Sequence, residues 1–220
     1  MLTEIIFVLD RSGSMNGSES DTIGGFNSFI KKQLKEEGET RITTVLFNDR
    51  CIILHDNLDA MEVNLTEQEY YAGGRTALLD AVGQTINRIQ ARHDKLGKSK
   101  LPEHVIFIIT TDGYENASRE FKKGRIKEMI THQMNHHGWE FIFMGADIDS
   151  FAAGHDMGIR PDRTMNYKKS TEGINDMYSN VYSMERNAKK DLLMERMAEL
   201  KEKGKEKKKQ EDDEKKRKQS

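Results

Sequence analysis

Short apolar runs alternate along this chain with segments in which apolar residues recur at helical spacing. Residues 5–9 and 105–109 are uninterrupted apolar runs. Neither run shows the alternation of a half-buried strand, so each predicts a central strand covered on both faces. The clearest helical pattern places Leu78, Val82, Ile86 and Ile89 on one face.

Weaker patterns predict the remaining elements. They are a helix over 24–36, strands over 42–47 and 51–54, an irregular connection over 58–71, a helix over 121–134, a strand over 139–144, a short helix over 150–157, a strand near 164–166 and a long helix over 174–197. This order predicts an α/β fold, a Rossmann-like, doubly wound and mostly parallel sheet flanked by helices. Ligands of such sheets bind in the crevice at the carboxyl ends of the strands.

Charge separates the C-terminus from the rest of the chain. The last twenty residues contain ten Lys/Arg and six Asp/Glu, so residues 1–200 carry 25 basic and 31 acidic side chains, a balance of −6. An acidic body argues against a nucleic-acid partner. We expect a domain over 1–168, a C-terminal helical extension over 169–200 and a charged, disordered tail over 201–220.

The chain gives little sign of an oxidising or membrane environment. Cys51 is its single cysteine, so no disulfide can form within it. The first apolar run begins at Ile5 without a basic leader and is far too short to span a bilayer. We therefore expect a cytoplasmic protein without a membrane partner.

Three polar segments adjoin these elements and carry the candidate chemistry. Asp10-Arg11-Ser12-Gly13-Ser14 follows the first strand, Gly73-Gly74-Arg75-Thr76 precedes a helix, and Thr110-Thr111-Asp112-Gly113 closes the strand over 105–110. If the two strands are neighbours, these loops meet at one edge of the sheet. The candidate ligands are all oxygens, namely Asp10, Ser12, Ser14, Thr76 and Asp112.

An all-oxygen set suits a hard cation such as Mg²⁺ or Mn²⁺, with Ca²⁺ also compatible. Three of the five groups are neutral hydroxyls, so a bound ion would keep much of its positive charge. A position left open on such an ion favours binding of an acidic partner. The alternatives are purely structural roles, namely a simple turn at 10–14 and an N-cap at Thr76.

Together the three segments resemble the metal-ion-dependent adhesion site of von Willebrand factor A-type (vWA) domains. The resemblance extends over about residues 3–159, and the stretch 143–149 is similar to cytosolic bacterial and phage members. It implies direct coordination by Ser12 and Ser14, and by Thr76 when a ligand is bound. It also implies that Asp10 and Asp112 act mostly through coordinated water, while the partner supplies an Asp or Glu oxygen.

The resulting prediction is a metal-dependent protein-binding or adaptor module that is not an enzyme. An AAA+ ATPase or another assembly component is a candidate partner, and we expect a monomer because the C-terminal helix lacks sustained heptads. One alternative is a phage or bacterial assembly protein that uses this helix. Another is a Mg²⁺-dependent phosphohydrolase with Asp10 as nucleophile, although Ser12 stands where such enzymes place a second acid. A zinc pair at His132 and His136 is less favoured than a solvated helix end.

Overall fold

Six strands form one sheet in the computed structural model, which describes residues 1–187, 189, 190, 194, 197 and 202. The strands are β1 (Leu2–Asp10), β2 (Glu39–Phe47), β3 (Cys51–Asp59), β4 (His104–Thr111), β5 (Glu140–Gly145) and β6 (Thr164–Asn166). They pair in the order β3-β2-β1-β4-β5-β6. β2 and β3 are antiparallel, and every other neighbouring pair is parallel.

Helices cover both faces of this sheet. They are α1 (Glu19–Gln33), α2 (Leu78–His93), α3 (Lys123–His137) and α4 (Ser150–Asp156), and residues 171–182 are also helical. Side chains alternate between the faces of β1. Ile6 and Val8 pack in one core with residues of α2 and α3, whereas Phe7 makes edge-to-face contacts with Phe26 and Phe29 of α1. The predicted α/β class and doubly wound, mostly parallel sheet are confirmed.

The two uninterrupted apolar runs form the neighbouring strands β1 and β4. Residues 5–9 are fully buried, and all eight residues of β4 are buried as well. Because helices pack on both sides of these strands, neither face needs polar residues.

Two element boundaries differ from the predictions by five residues, more than any other. α1 begins at Glu19 rather than at residue 24, because its first turn is polar and carries Glu19 and Asp21 near the positive helix end. β3 extends to Asp59 rather than to residue 54. Its pairing with β2 is interrupted by a bulge, and Asn57 has a φ of 56°, so the alternation that reveals a regular strand is absent.

The chain divides into two compact units, Met1–Tyr182 and Ser183–Ser220. All six strands and α1 to α4 belong to the first unit. The domain limits at residues 168 and 200 stay a prediction, and the tail over 201–220 lies outside the described residues except for Glu202. No helix in the described part of the chain combines the length and the apolar character needed to cross a bilayer.

Candidate metal centre at the carboxyl edge of the sheet

The strand order reverses between β1 and β4, and the loops that follow these two strands meet there. Backbone hydrogen bonds attach the segment before α2 to the loop after β1. Gly13 N donates to Gly74 O at 2.9 Å, and Gly73 N donates to Arg11 O at 2.9 Å. The sheet therefore brings all three predicted segments to one edge, as expected for an open α/β sheet.

The turn between β2 and β3 supports the segment before α2. Asn48 Nδ2 donates to Gly73 O at 2.7 Å, and Asp49 accepts from Arg75 N at 2.8 Å and from Arg75 Nε at 3.0 Å. These bonds from Arg75 lower the pKa of the Asp49 carboxyl. Gly74 has a φ of +83°, and a Cβ at this position would collide with the Asp49 carboxylate. A glycine is therefore required at this turn.

Four of the five predicted oxygen donors lie in one cluster. Ser12 Oγ and Ser14 Oγ are 3.0 Å apart, and Ser14 Oγ donates to Asp112 Oδ1 at 2.5 Å. A Cβ placed on Gly113 would lie 3.2 Å from both Ser14 Oγ and Thr76 Oγ1. Gly113 therefore lies between these two hydroxyls and leaves the space that a side chain would fill. Ser12, Thr76 and Asp112 are each at most 3% exposed.

Asp10, the fifth predicted donor, is held from two sides. Its Oδ1 accepts from Ser12 N at 2.7 Å, and its Oδ2 accepts from Thr111 Oγ1 at 2.6 Å. Burial raises the pKa of Asp10 to about 6, although the hydrogen bonds from Thr111 and Ser12 oppose that rise, and the charge of Asp112 adds to it. Asp10 thus reaches the cluster through Ser12.

Thr76 does not act as the helix cap that its position suggested. The N-cap of α2 is Ala77, which has no side-chain cap, and Thr76 N donates to Asn116 Oδ1 at 3.0 Å. Glu115 accepts instead from Leu79 N in the first turn of α2. The capping interpretation of Thr76 is therefore wrong, which leaves its hydroxyl beside Gly113.

Lys169 brings a positive charge to this site that the sequence did not predict. Lys169 Nζ donates to Asp112 Oδ2 and to Ser14 O, each at 3.1 Å, and contacts Asp147 Oδ2 at 3.1 Å. Partial burial alone would lower the pKa of Lys169, but the hydrogen bonds to Asp112 and Asp147 outweigh it and raise the pKa. No local pattern distinguishes Lys169 from its neighbour Lys168, so the sequence carried no signal for this contact.

Thr111 and Tyr70 were also missed as residues that position Asp10. Tyr70 Oη donates to the Asp10 carbonyl at 2.5 Å from a side chain that is 1% exposed. Burial keeps the pKa of Tyr70 well above its ordinary value, so the phenol stays protonated and can donate. Tyr70 lies in a stretch without clear periodicity, whereas Thr111 directly precedes Asp112, and nothing in the sequence indicates a contact between Thr111 and Asp10.

The donor set fits a hard cation. It contains two carboxylates and three hydroxyls, and such oxygens are the ligands that Mg²⁺ and Mn²⁺ take. Within the described residues, no three His, Cys, Asp or Glu side chains form a group that could hold a metal ion. That includes the stacked rings of His132 and His136, 4.3 Å apart. The candidate centre therefore depends on hydroxyl oxygens for most of its donors.

The fold around this site is shared with known proteins. Residues 4–180 match the family model described as von Willebrand factor type A domain. No curated protein sequence is a significant match to the chain.

Several solved structures share the fold. The vWF domain of the type V pili tip protein Mfa5 from Porphyromonas gingivalis has a TM-score of 0.61 and 11% identity, covering 83% of this chain and 96% of that one. The D319A mutant of the PilB minor pilin from Streptococcus sanguinis has a TM-score of 0.58 and 13% identity, covering 88% and 63%. Proximal thread matrix protein 1 from the mussel byssus has a TM-score of 0.56 and 15% identity, covering 83% of this chain and 45% of that one. The chain thus spans less than half of the mussel protein.

Proposed function

Because the chain belongs to the von Willebrand factor type A domain family, we propose that it is a non-enzymatic module that binds a partner protein through a divalent cation. The observation that carries this proposal is the clustering of the Ser12, Ser14 and Asp112 side chains, with the Thr76 hydroxyl beside Gly113. Three separate segments of the chain contribute these donors. Their convergence at a strand-order reversal is the usual position of a ligand site in this architecture.

Each predicted ligand has its own role in the proposal. Ser12, Ser14 and Thr76 would bind the cation through their hydroxyls, while Asp10 and Asp112 would act mostly through water. Mg²⁺ or Mn²⁺ is the expected ion, with Ca²⁺ as an alternative. When bound, the ion would supply a Lewis-acidic position for a carboxylate oxygen of the partner. With only two carboxylates in the set, the centre would remain attractive to that acid.

The setting of Asp10 favours binding over phosphoryl transfer. A nucleophilic carboxylate needs an oxygen that can reach a substrate. Both Asp10 oxygens instead accept hydrogen bonds from the protein, and the residue is 1% exposed. Ser12, two residues further on, supplies no acid–base group of the kind that such a reaction needs.

Proteins of similar fold include a pili tip protein and a minor pilin, which is consistent with a role in a protein assembly. For this chain we propose a cytoplasmic adaptor, with an AAA+ ATPase or another assembly component as the candidate partner. We further propose that it is a monomer of bacterial or phage origin and that it does not bind nucleic acid or membranes. The balance of −6 over residues 1–200 supports the exclusion of nucleic acid.

The proposal is tested by capturing partners from a lysate in Mg²⁺, then repeating the capture in EDTA and with Asp112→Ala. Asp176→Ala, at an exposed helical position, serves as the matched control. We expect a partner that is lost in EDTA and with Asp112→Ala but retained with the control. A Glu→Gln or Asp→Asn scan of that partner should identify one acid that is essential. A partner that survives both EDTA and Asp112→Ala would contradict the proposal.

A further inference from the structure

Lys169 places a positive charge inside the candidate metal centre. Its Nζ lies 3.1 Å from an oxygen of each of three residues, Asp112, Ser14 and Asp147. Its side chain is 27% exposed, whereas that of Asp112 is fully buried. The ammonium therefore reaches inward from the surface to a carboxylate that water does not contact.

This contact provides Asp112 with an internal counter-charge. A buried carboxylate without a compensating charge or hydrogen bonds is strongly destabilising. Asp112 Oδ1 accepts from Ser14 Oγ, and Asp112 Oδ2 accepts from Lys169 Nζ. Both oxygens are thus satisfied by groups of the protein.

Hydrogen bonds hold the chain on both sides of Lys169. On one side, Tyr167 N donates to Gly145 O at 2.9 Å. On the other, Thr171 Oγ1 donates to Asp21 Oδ2 at 3.1 Å. The Lys169 side chain, which is 27% exposed, therefore has room to adjust between these two fixed positions when the charge in the centre changes.

Ser14 contacts both charges that the centre would hold. Its hydroxyl belongs to the predicted cation ligands, and its carbonyl accepts from Lys169. The Lys169 ammonium and a cation bound by the Ser14 hydroxyl would repel each other. Partial burial makes this repulsion stronger than it would be in water. Asp147, whose side chain is 64% exposed, can hold the ammonium further from the buried oxygens.

We propose that Lys169 is a tethered counter-ion that competes with a divalent cation for Asp112 and thereby sets the affinity of the centre for that cation. The proposal rests on the cation binding proposed above, but it concerns a residue outside the predicted ligand set. Lys169 acts here as a positioning residue, because it acts on the cation through Asp112.

Mn²⁺ titration of the full chain, followed by the loss of the free-ion electron paramagnetic resonance signal, tests this competition. The variants are Lys169→Met, which removes the charge, Lys169→Arg, which keeps it, and Lys168→Met as the matched control. We expect Lys169→Met to bind Mn²⁺ roughly tenfold more tightly than the unaltered chain. Lys169→Arg and Lys168→Met should stay within roughly twofold of it.

The outcomes separate this proposal from the proposed function. Equal Mn²⁺ affinity of Lys169→Met and the unaltered chain would overturn the competition and leave the metal centre standing. If Lys169→Met binds Mn²⁺ and the other variants and the unaltered chain do not, Lys169 excludes the cation completely, which would support the proposal. Absence of Mn²⁺ binding in every variant would overturn both proposals.

A second measurement needs no substitution and follows the reactivity of the Lys169 amine directly. Acetylation by an amine-reactive ester, quantified by mass spectrometry, compares Lys169 with Lys168 in one peptide with and without Mg²⁺. We expect Mg²⁺ to raise the acetylation rate of Lys169 several-fold, since the ammonium leaves Asp112, and to leave Lys168 unchanged. An unchanged ratio in Mg²⁺ that saturates the centre would overturn the proposal.

Discussion

The two edges of the sheet both bury acidic side chains, but they neutralise them differently. At the amino edge, Glu4 is 1% exposed and contacts the Arg92 guanidinium and, at 2.7 Å, His93 Nε2. Arg92 is also paired with Asp56 at 2.8 Å. At the carboxyl edge, the buried acids contact hydroxyls, one backbone amide and a single lysine.

This difference separates a structural cluster from a candidate binding site. The guanidinium that satisfies Glu4 is planar, and although burial lowers the pKa of Arg92, it stays charged at neutral pH, so the amino edge has no need for an added cation. Hydroxyls satisfy a carboxylate without neutralising its charge, and a lysine side chain can move away. In the proposed function, the carboxyl edge would exchange these internal bonds for bonds to a cation.

The largest expected effect is the loss of the Glu4 charge. Glu4→Gln removes the buried charge that Arg92 and His93 both contact, and we expect it to lower the free energy of unfolding by about 3 kcal/mol, although Arg92 keeps its pair with Asp56. Asp112→Asn in EDTA should lower the free energy of unfolding by about 1 kcal/mol or less, because Lys169 can turn to solvent and to Asp147. Urea unfolding of both variants makes the comparison, and equal losses would contradict the distinction between the two edges.

Acid should weaken the amino edge of the sheet. Burial, followed by the charge of Arg92, lowers the pKa of His93 to about 4. Since an unfolded histidine titrates near 6.5, the unfolded state binds the extra proton first, and stability falls as the pH drops from about 6.5 to about 4. We expect a loss of about 3 kcal/mol over this range, because each pH unit between the two pKa values contributes about 1.4 kcal/mol. His93→Gln should flatten the pH dependence of urea unfolding, and an unchanged slope would assign the loss to other groups.

Filling the space at Gly113 should weaken the carboxyl edge while leaving the fold intact. The added methyl group of Gly113→Ala would lie 3.2 Å from the hydroxyls of Ser14 and Thr76. We expect Mn²⁺ affinity to fall roughly tenfold, since crowding forces the two oxygens apart. Gly124→Ala, where a Cβ meets nothing within 4 Å, is the matched control in calorimetric titration. Equal affinities of the two variants would show that Gly113 does not shape the site.

The smallest effect is expected where a hydrogen bond supports the site from behind. Tyr70→Phe removes the donor to the Asp10 carbonyl and should lower the free energy of unfolding by about 1 kcal/mol. Mn²⁺ affinity should remain within roughly twofold, because this bond reaches the backbone and not a predicted ligand oxygen. A large loss of affinity with little loss of stability would instead place Tyr70 among the residues that shape the centre.

The sequence alone predicted the parts of this protein that depend on local pattern. β1 and β4 appear as apolar runs because both faces of each strand are buried. α2 appears as a helical period because one stripe of the helix is buried. The α/β order follows from the succession of these two patterns. The motif residues could be named for the same reason, since each directly follows or precedes one of these elements. The predicted start of α1 was wrong because the first turn of the helix is polar. The predicted length of β3 was wrong because a bulge interrupts the alternation of the strand.

Tertiary structure decided which side chains complete the carboxyl edge. Lys169 is 57 residues from Asp112, and Thr111 is 101 residues from Asp10. Neither contact can be derived from periodicity, because the partner of a polar side chain depends on which loops the strand order brings together. The sequence by itself determined the strands and the candidate oxygens, since burial acts on each segment separately. Only the folded sheet decided that a lysine would neutralise Asp112, because opposite charges attract through space and without regard to their separation along the chain.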